Sequence, residues 1–181
     1  MIVINFFGGP NSGKSTQAAG LFHKMKTEGC SVEHVNEYAK MCVWENRMEL
    51  LEDQLYVMAK QNRRIKRLEG KVGFAVTDSP ILLSSIYRTA YGEPHYTDLI
   101  DKVAHECYNN NNNINFMCKR IPQKYDRIQR SLDLKNALKI DNALYEMFKD
   151  YKIPFFHLDI NKESIDVAYD YVMKRMSKKK S

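Results

Sequence analysis

Gly8-Gly9-Pro10-Asn11-Ser12-Gly13-Lys14-Ser15-Thr16 is a complete phosphate-binding loop of the form G-x-x-x-x-G-K-[ST]. Its flanks carry as much information as its letters. Ile2-Val3-Ile4-Asn5-Phe6-Phe7 before it is β-branched and aromatic and reads as a short buried strand. Gln17 to Glu28 after it places Leu21, Phe22 and Met25 at helical spacing. Strand, loop and helix follow one another in the order the motif requires.

The chemistry of the loop belongs to its backbone. Gly8 and Gly13 have no Cβ, so the chain can curl with its N–H groups inward and come close to phosphate oxygens. The helix behind adds unpaired amides and the positive end of its dipole. Gly9, Asn11, Ser12 and Thr16 complete the cradle, Lys14 is placed to reach the β- and γ-phosphates, and Ser15 is placed to ligate Mg²⁺. The pattern predicts ATP with Mg²⁺ as the bound nucleotide.

The chain has 181 residues, 44% of them hydrophobic, which fits one domain with a core of its own, and no Pro/Gly/Ser-rich linker divides it. The apolar stretch 2–7 is too short for a signal peptide, lacks a basic leader and is needed as the first strand. No run reaches the roughly 18 apolar residues of a membrane span, so no membrane partner is expected and the location reads as cytoplasmic, the host cytoplasm if the source is viral. Cys30, Cys42, Cys107 and Cys118 form no C-x-x-C pair and lie near no His at metal-ligand spacing, and read as reduced fillers. The formal charge of +6 suits an anionic substrate. Much of it sits in a basic tail, 174–181, with Lys174, Arg175 and Lys178 to Lys180, which reads as a solvated end.

Apolar segments alternate with amphipathic ones, the mark of strand-helix-strand units and a parallel sheet. Further strands are expected at 32–36, 72–77, 114–118 and 154–158. Helices are expected at 38–47, 51–69, 80–91, 96–108 and 133–151, with a last one from Glu163, and the asparagine run 109–113 reads as a polar turn. The result is an α/β fold of five parallel strands with helices on both faces. Ligands of such sheets bind beyond the carboxyl ends of the strands.

Three features fall there. Glu37 follows the second strand and could take a proton from, or orient, an acceptor hydroxyl; its alternative is an acid in a helix's first turn. Asp78 follows the third strand and could hold Mg²⁺ through a water; its alternative is a helix cap, with Ser79-Pro80 behind it. A basic stretch, about 119–131, follows the fourth strand where a lid would close over the transferred phosphoryl group. Arg127 and Arg130 lie three apart in it, and the alternative is a solvated basic surface. Tyr38 and Trp44 could stack on an acceptor ring, Gln54 could bond its edge, and Asn161 after the fifth strand could flank adenine; aromatic core contacts and a surface glutamine are the plainer reading.

Together with the loop, Asn36-Glu37-Tyr38, Gln54, Thr77-Asp78-Ser79, the stretch Tyr125-Asp126 to Arg130 and the segment from Asp141 to Leu158 resemble the NadR-type family of P-loop kinases, the ribosylnicotinamide-kinase-like ATPase domain. The likeness covers nearly the whole chain, and only the phosphate loop is specific by itself. It implies an AAA-ATPase-like P-loop NTPase domain, a three-layer sandwich of strand order 2-3-1-4-5, that phosphorylates a nucleoside-like hydroxyl with ATP. On that likeness Lys14 and Ser15 serve phosphate and magnesium, Glu37 and Asp78 face the acceptor, and Arg130 belongs to the lid. These residues include no counterpart of the DNA-binding and adenylyltransferase portions that accompany the kinase in the full regulator, so transcriptional control and NAD synthesis are not expected. Small kinases of this shape often serve nucleotide salvage, including in phages.

The expected function is transfer of the γ-phosphoryl group to a nucleoside or nucleotide. The alternatives are a kinase acting on a hydroxyl in nucleic acid, for which the net charge and the Arg63 to Arg67 cluster speak, and a non-kinase P-loop ATPase or interaction module. An oligomer is compatible with the sequence.

Overall fold

Ile2-Val3-Ile4 and Phe6-Phe7, apolar on both sides of the single polar Asn5, can be buried on both faces only at the centre of a sheet, and β1 (Ile2–Phe7) lies there. It pairs in parallel with β3 (Phe74–Thr77) on one side and β4 (Asn112–Lys119) on the other. Strands β2 (Val32–Val35) and β5 (Phe156–Asp159) flank these, also in parallel, giving the order β2-β3-β1-β4-β5. In this computed structural model residues 1–90, 97–119 and 134–177 are described.

Alternation along β1 sorts the core into two layers. Ile4 and Phe6, with Val76 of β3 and Phe116 of β4, meet Leu21 and Met25 of α1 (Lys14–Thr27) and Ala168 and Val172 of α7 (Ser164–Ser177). Val3 and Phe7, with Ala75 and Met117, meet Met58 and Ile65 of α3 (Gln54–Lys66), Leu83 of α4 (Leu83–Ala90), Ala104 of α5 (Thr97–Asn109) and Leu144 and Phe148 of α6 (Leu134–Asp150). The short α2 (Tyr38–Trp44) packs in a satellite cluster through Cys42, against Leu51 and Val57. Helices thus cover both faces, and the strand order is the one the resemblance implies.

Boundaries depart from the sequence reading for local reasons. The asparagine run does not remain a turn, because β4 already begins at Asn112. Asn5 Nδ2 donates to Asn113 Oδ1 (3.0 Å) and Asn115 Oδ1 (3.1 Å), and Asn115 Nδ2 donates to Tyr108 Oη (2.6 Å) and Pro154 O (2.9 Å). A partnered asparagine network is therefore compatible with the sheet interior, where a lone amide would not be. The third helix starts at Gln54 rather than 51, since Asp53 accepts the Tyr56 amide at 2.9 Å as its N-cap, and a 3₁₀ turn, Met48–Leu51, precedes it. The fifth strand begins at Phe156 rather than Pro154, whose ring nitrogen has no hydrogen to give.

Candidate active site

The loop between β1 and α1 is held by residues in unusual backbone regions. Gly8 has φ +139°, Asn11 +61° and Gly13 +88°. A Cβ on Gly8 would collide with Ser12 Oγ, so that position requires glycine sterically as well as conformationally. Gly13 is the N-cap of α1 and supplies no side-chain cap, and no acid occupies the helix's first turn. The amide donors there are thus available to an anion from outside the helix. Ser12 is buried and its Oγ has no hydrogen-bond partner, a donor left for an incoming oxygen. Ser15 and Thr16 are exposed at the mouth.

Lys14 folds back over the loop, and its Nζ donates to Gly9 O at 2.9 Å. Burial pushes the ammonium below the ordinary lysine range, while the charges of Glu37, Asp78 and Asp141 act in the opposite sense. Cys118 borders the same spot, but burial pushes its thiol up to about 12, so it stays neutral. One cation is thus within electrostatic reach of carboxylates from three separate elements.

Each carboxylate has its own support. Glu37 is the N-cap of α2 in extended conformation, following β2. The next amide, Tyr38 N, donates to Gln61 Oε1 (3.0 Å), and Gln61 Nε2 donates to Thr77 Oγ1 (3.4 Å). Thr77 Oγ1 also donates to Val35 O (3.2 Å) and accepts from Ser79 N (3.1 Å). This buried chain ties the ends of β2 and β3 to α3, and so sets Glu37 relative to Asp78. Asp78 is 4% exposed, and its Oδ1 has no partner. The helix after it begins only at Leu83, so Asp78 does not cap that helix. A buried carboxylate oxygen with nothing to accept fits a site completed by a ligand, a metal-bound water or an acceptor hydroxyl. Asp141, on α6, accepts the Gly9 amide through Oδ1 at 2.5 Å.

The remaining predicted residues stand as follows. Tyr38 lies beside Glu37, with its hydroxyl 3.2 Å from that of Tyr56 and the Arg64 guanidinium 5.1 Å from its ring centre. Gln54 is buried, and its amide donates to Leu51 O at 2.6 Å. Trp44 ends α2, is 68% exposed and carries the Lys40 ammonium 5.0 Å above its ring. Asn161 Oδ1 accepts Glu163 N (2.9 Å), and its carbonyl accepts Ser164 Oγ (2.8 Å), at the entry to α7. The neighbouring Ile160 is the residue a Cβ on Gly13 would touch, so the end of β5 lies against the phosphate loop. Arg127 and Arg130, with the whole of 120–133, lie outside the described residues, as do 178–181. A groove of about 530 Å³ bordered by Asp101, His105 and Tyr151 includes none of the predicted residues.

Sequence reasoning gave no separate role to Gln61 or Asp141. Both left a trace. Gln61 falls between Met58 and Ile65 on the apolar stripe of α3, and Asp141 follows Ala137 by one helical turn and precedes Leu144 by another. A polar residue on an apolar flank signals a buried partner.

The AAA domain family matches residues 3–165. The chain belongs to that family. The matched span runs from β1 into α7 and includes every predicted site residue. Within it the phosphate loop, Gly8 to Thr16, is complete. No curated protein resembles the chain in sequence. Among solved structures, thymidylate kinase from Ehrlichia chaffeensis is similar, with 18% identity over 97% of this chain and 98% of that one and a TM-score of 0.64. At that identity the likeness is one of fold, a P-loop NTPase sheet with strand order 2-3-1-4-5. Among the described residues no helix is long and apolar enough to cross a membrane.

Proposed function

We propose that this protein transfers the γ-phosphoryl group of ATP to a hydroxyl of a nucleoside or nucleotide. The observation that carries the reading is the grouping of Lys14, on the phosphate loop, with Glu37 and Asp78 from the ends of two neighbouring strands. Hydrolysis and transfer both need a group that orients or deprotonates the attacking oxygen, and Glu37 and Asp78 offer one; the choice of an acceptor hydroxyl over water rests on the NadR-type resemblance.

The loop amides and Ser12 Oγ receive the phosphates, and Lys14 exchanges the Gly9 carbonyl for β- and γ-oxygens. Ser15 and Asp78 suit Mg²⁺ as oxygen donors, with the nucleotide's own oxygens and water completing the shell. When bound, that ion neutralises charge on the phosphates. Glu37 accepts the proton of the acceptor hydroxyl as its oxygen bonds to γ-phosphorus and the bond to the β-γ bridging oxygen breaks, releasing ADP. Arg127 and Arg130, by their place in sequence after β4, are the candidate cations for the transferred group. Tyr38 is positioned to border the acceptor, and Gln54, Trp44 and Asn161 are weaker candidates for base contacts.

Two carboxylates beside the reacting end favour a neutral hydroxyl over a phosphate as the attacking group, since a second anion there would be repelled. That preference suits a nucleoside, and ribosylnicotinamide, the acceptor implied by the NadR-type resemblance, is one such molecule. A salvage role in the cytoplasm agrees with this chemistry. The nucleic-acid alternative is weakened because the basic run on α3 does not form one free face. Arg64 Nη1 donates to Asn36 O (3.2 Å) and Lys66 Nζ bonds Glu69 (2.8 Å), while Arg63 and Arg67 are exposed.

Labelled ATP offered with nucleosides, monophosphates, ribosylnicotinamide and 5′-hydroxyl DNA tests the proposal. Label should appear on a small acceptor and be lost, by at least about 100-fold, in Lys14→Ala. ATP turnover indifferent to every acceptor would leave a plain ATPase. Label on DNA with a steep salt dependence would favour the nucleic-acid reading instead.

A further inference from the structure

We infer that Asp141 is a positioning residue of the nucleotide site, and that its carboxylate fixes the first turn of the phosphate loop by holding the amide of Gly9. The inference rests on the reading of that loop as the nucleotide site and adds a residue from a distant element to it.

Gly9 is buried, and its two peptide groups are held from opposite directions. Its N–H goes to Asp141 Oδ1 at 2.5 Å, while its carbonyl accepts Lys14 Nζ at 2.9 Å and Ser12 N at 3.3 Å. The first bond is short and joins a loop amide to a side-chain acceptor on another element. It acts just after Gly8, whose φ of +139° turns the chain into the loop, and just before the carbonyl on which Lys14 rests. Glycine at two successive positions leaves this turn with little preference of its own. An outside acceptor is what selects one arrangement. Asp141 is suited to the task because α6 is anchored to the sheet by Ile140 and Leu144 on either side of it, so its carboxylate sits on a rigid element. Through the Gly9 peptide the same carboxylate determines where Ser12 and Lys14 stand when a triphosphate arrives.

Calorimetric titration with the magnesium complex of the non-hydrolysable analogue AMP-PNP tests this without knowledge of the acceptor. Asp141→Ala should raise Kd about tenfold, the loss of one buried hydrogen bond. Asp141→Asn, which keeps an acceptor oxygen and removes the charge, should restore Kd to within about threefold of the parent. Parent-like binding by Asp141→Ala overturns the inference. So does equal weakening in both variants, which would make charge rather than the hydrogen bond the agent. Should Asp141→Ala fail to fold, amide exchange of the parent protein decides: Gly9 N–H should be protected well above an exposed amide, and free exchange overturns the inference. A parent protein that binds no AMP-PNP at all would instead remove the nucleotide-site reading.

Discussion

At Gly8 the phosphate loop has no room for a methyl group. Gly8→Ala would press a Cβ into Ser12 Oγ and force a side chain to φ +139°, a strain of about 1–3 kcal/mol. Nucleotide affinity should fall by tenfold or more, measured by AMP-PNP titration, because relief of the strain moves Ser12. Glu37 is the N-cap of α2 within electrostatic reach of Lys14, and there a neutral isostere keeps shape and loses basicity. Glu37→Gln should lower kcat by about 10²–10⁴ while Kd for ATP stays within about threefold, and single-turnover rates with the acceptor found by the label screen would show it. Equal rates in this variant would remove Glu37 as the proton acceptor. Such residues were legible because loop chemistry is local: the glycines, Lys14 and Ser15 act through backbone conformation and reach within one turn. Their depth was not legible, and the orphaned oxygens of Ser12 and Asp78 emerge only when neighbouring elements close around them.

Elements were legible where periodicity is strong and less so where side chains bond across the sheet. The amphipathic stripes of α3 and α6 mark their apolar faces, and the place of Gln61 on the α3 stripe signals a buried partner without saying which one. Its value is tertiary, since it joins Tyr38 N to Thr77 Oγ1 and so links the ends of β2 and β3. Gln61→Leu should leave those partners unsatisfied and cost about 1–3 kcal/mol in denaturant unfolding, with the acceptor reaction slowed more than AMP-PNP binding is weakened. The asparagine network makes the same point in β4. Low intrinsic propensity argued for a turn at 109–113, and pairing of Asn113 and Asn115 with Asn5 overrode it from Asn112 onward. Asn5→Val removes the shared donor, and a loss of about 1–3 kcal/mol is expected. An unchanged unfolding midpoint would count against the network as a stabilising device.

At the scale of the whole molecule, the buried Lys14 carries an electrostatic cost that a bound triphosphate is expected to relieve. Burial depresses the Lys14 ammonium below its ordinary value of 10.5, so between the folded and unfolded values the unfolded chain holds more protons. Stability from this group therefore rises as pH climbs through that window, and below it the charged, buried lysine is a net burden. Lys14→Met should be more stable than the parent at neutral pH, and the difference should shrink as pH approaches 10.5 in denaturant titrations. A difference that is flat with pH would show that burial does not strain the ammonium. Saturating Mg-ATP should raise the melting temperature of the parent and leave Lys14→Met nearly unmoved. The sequence alone determined a phosphate loop between a strand and a helix, and an alternation that permits only a parallel sheet with two helical layers, because both follow from local sterics and hydrophobic period. Only the tertiary structure decided that the carboxylates following β2 and β3 and one on α6 converge on one lysine, because residues 37, 78 and 141 are brought together by sheet order and helix packing rather than by spacing along the chain.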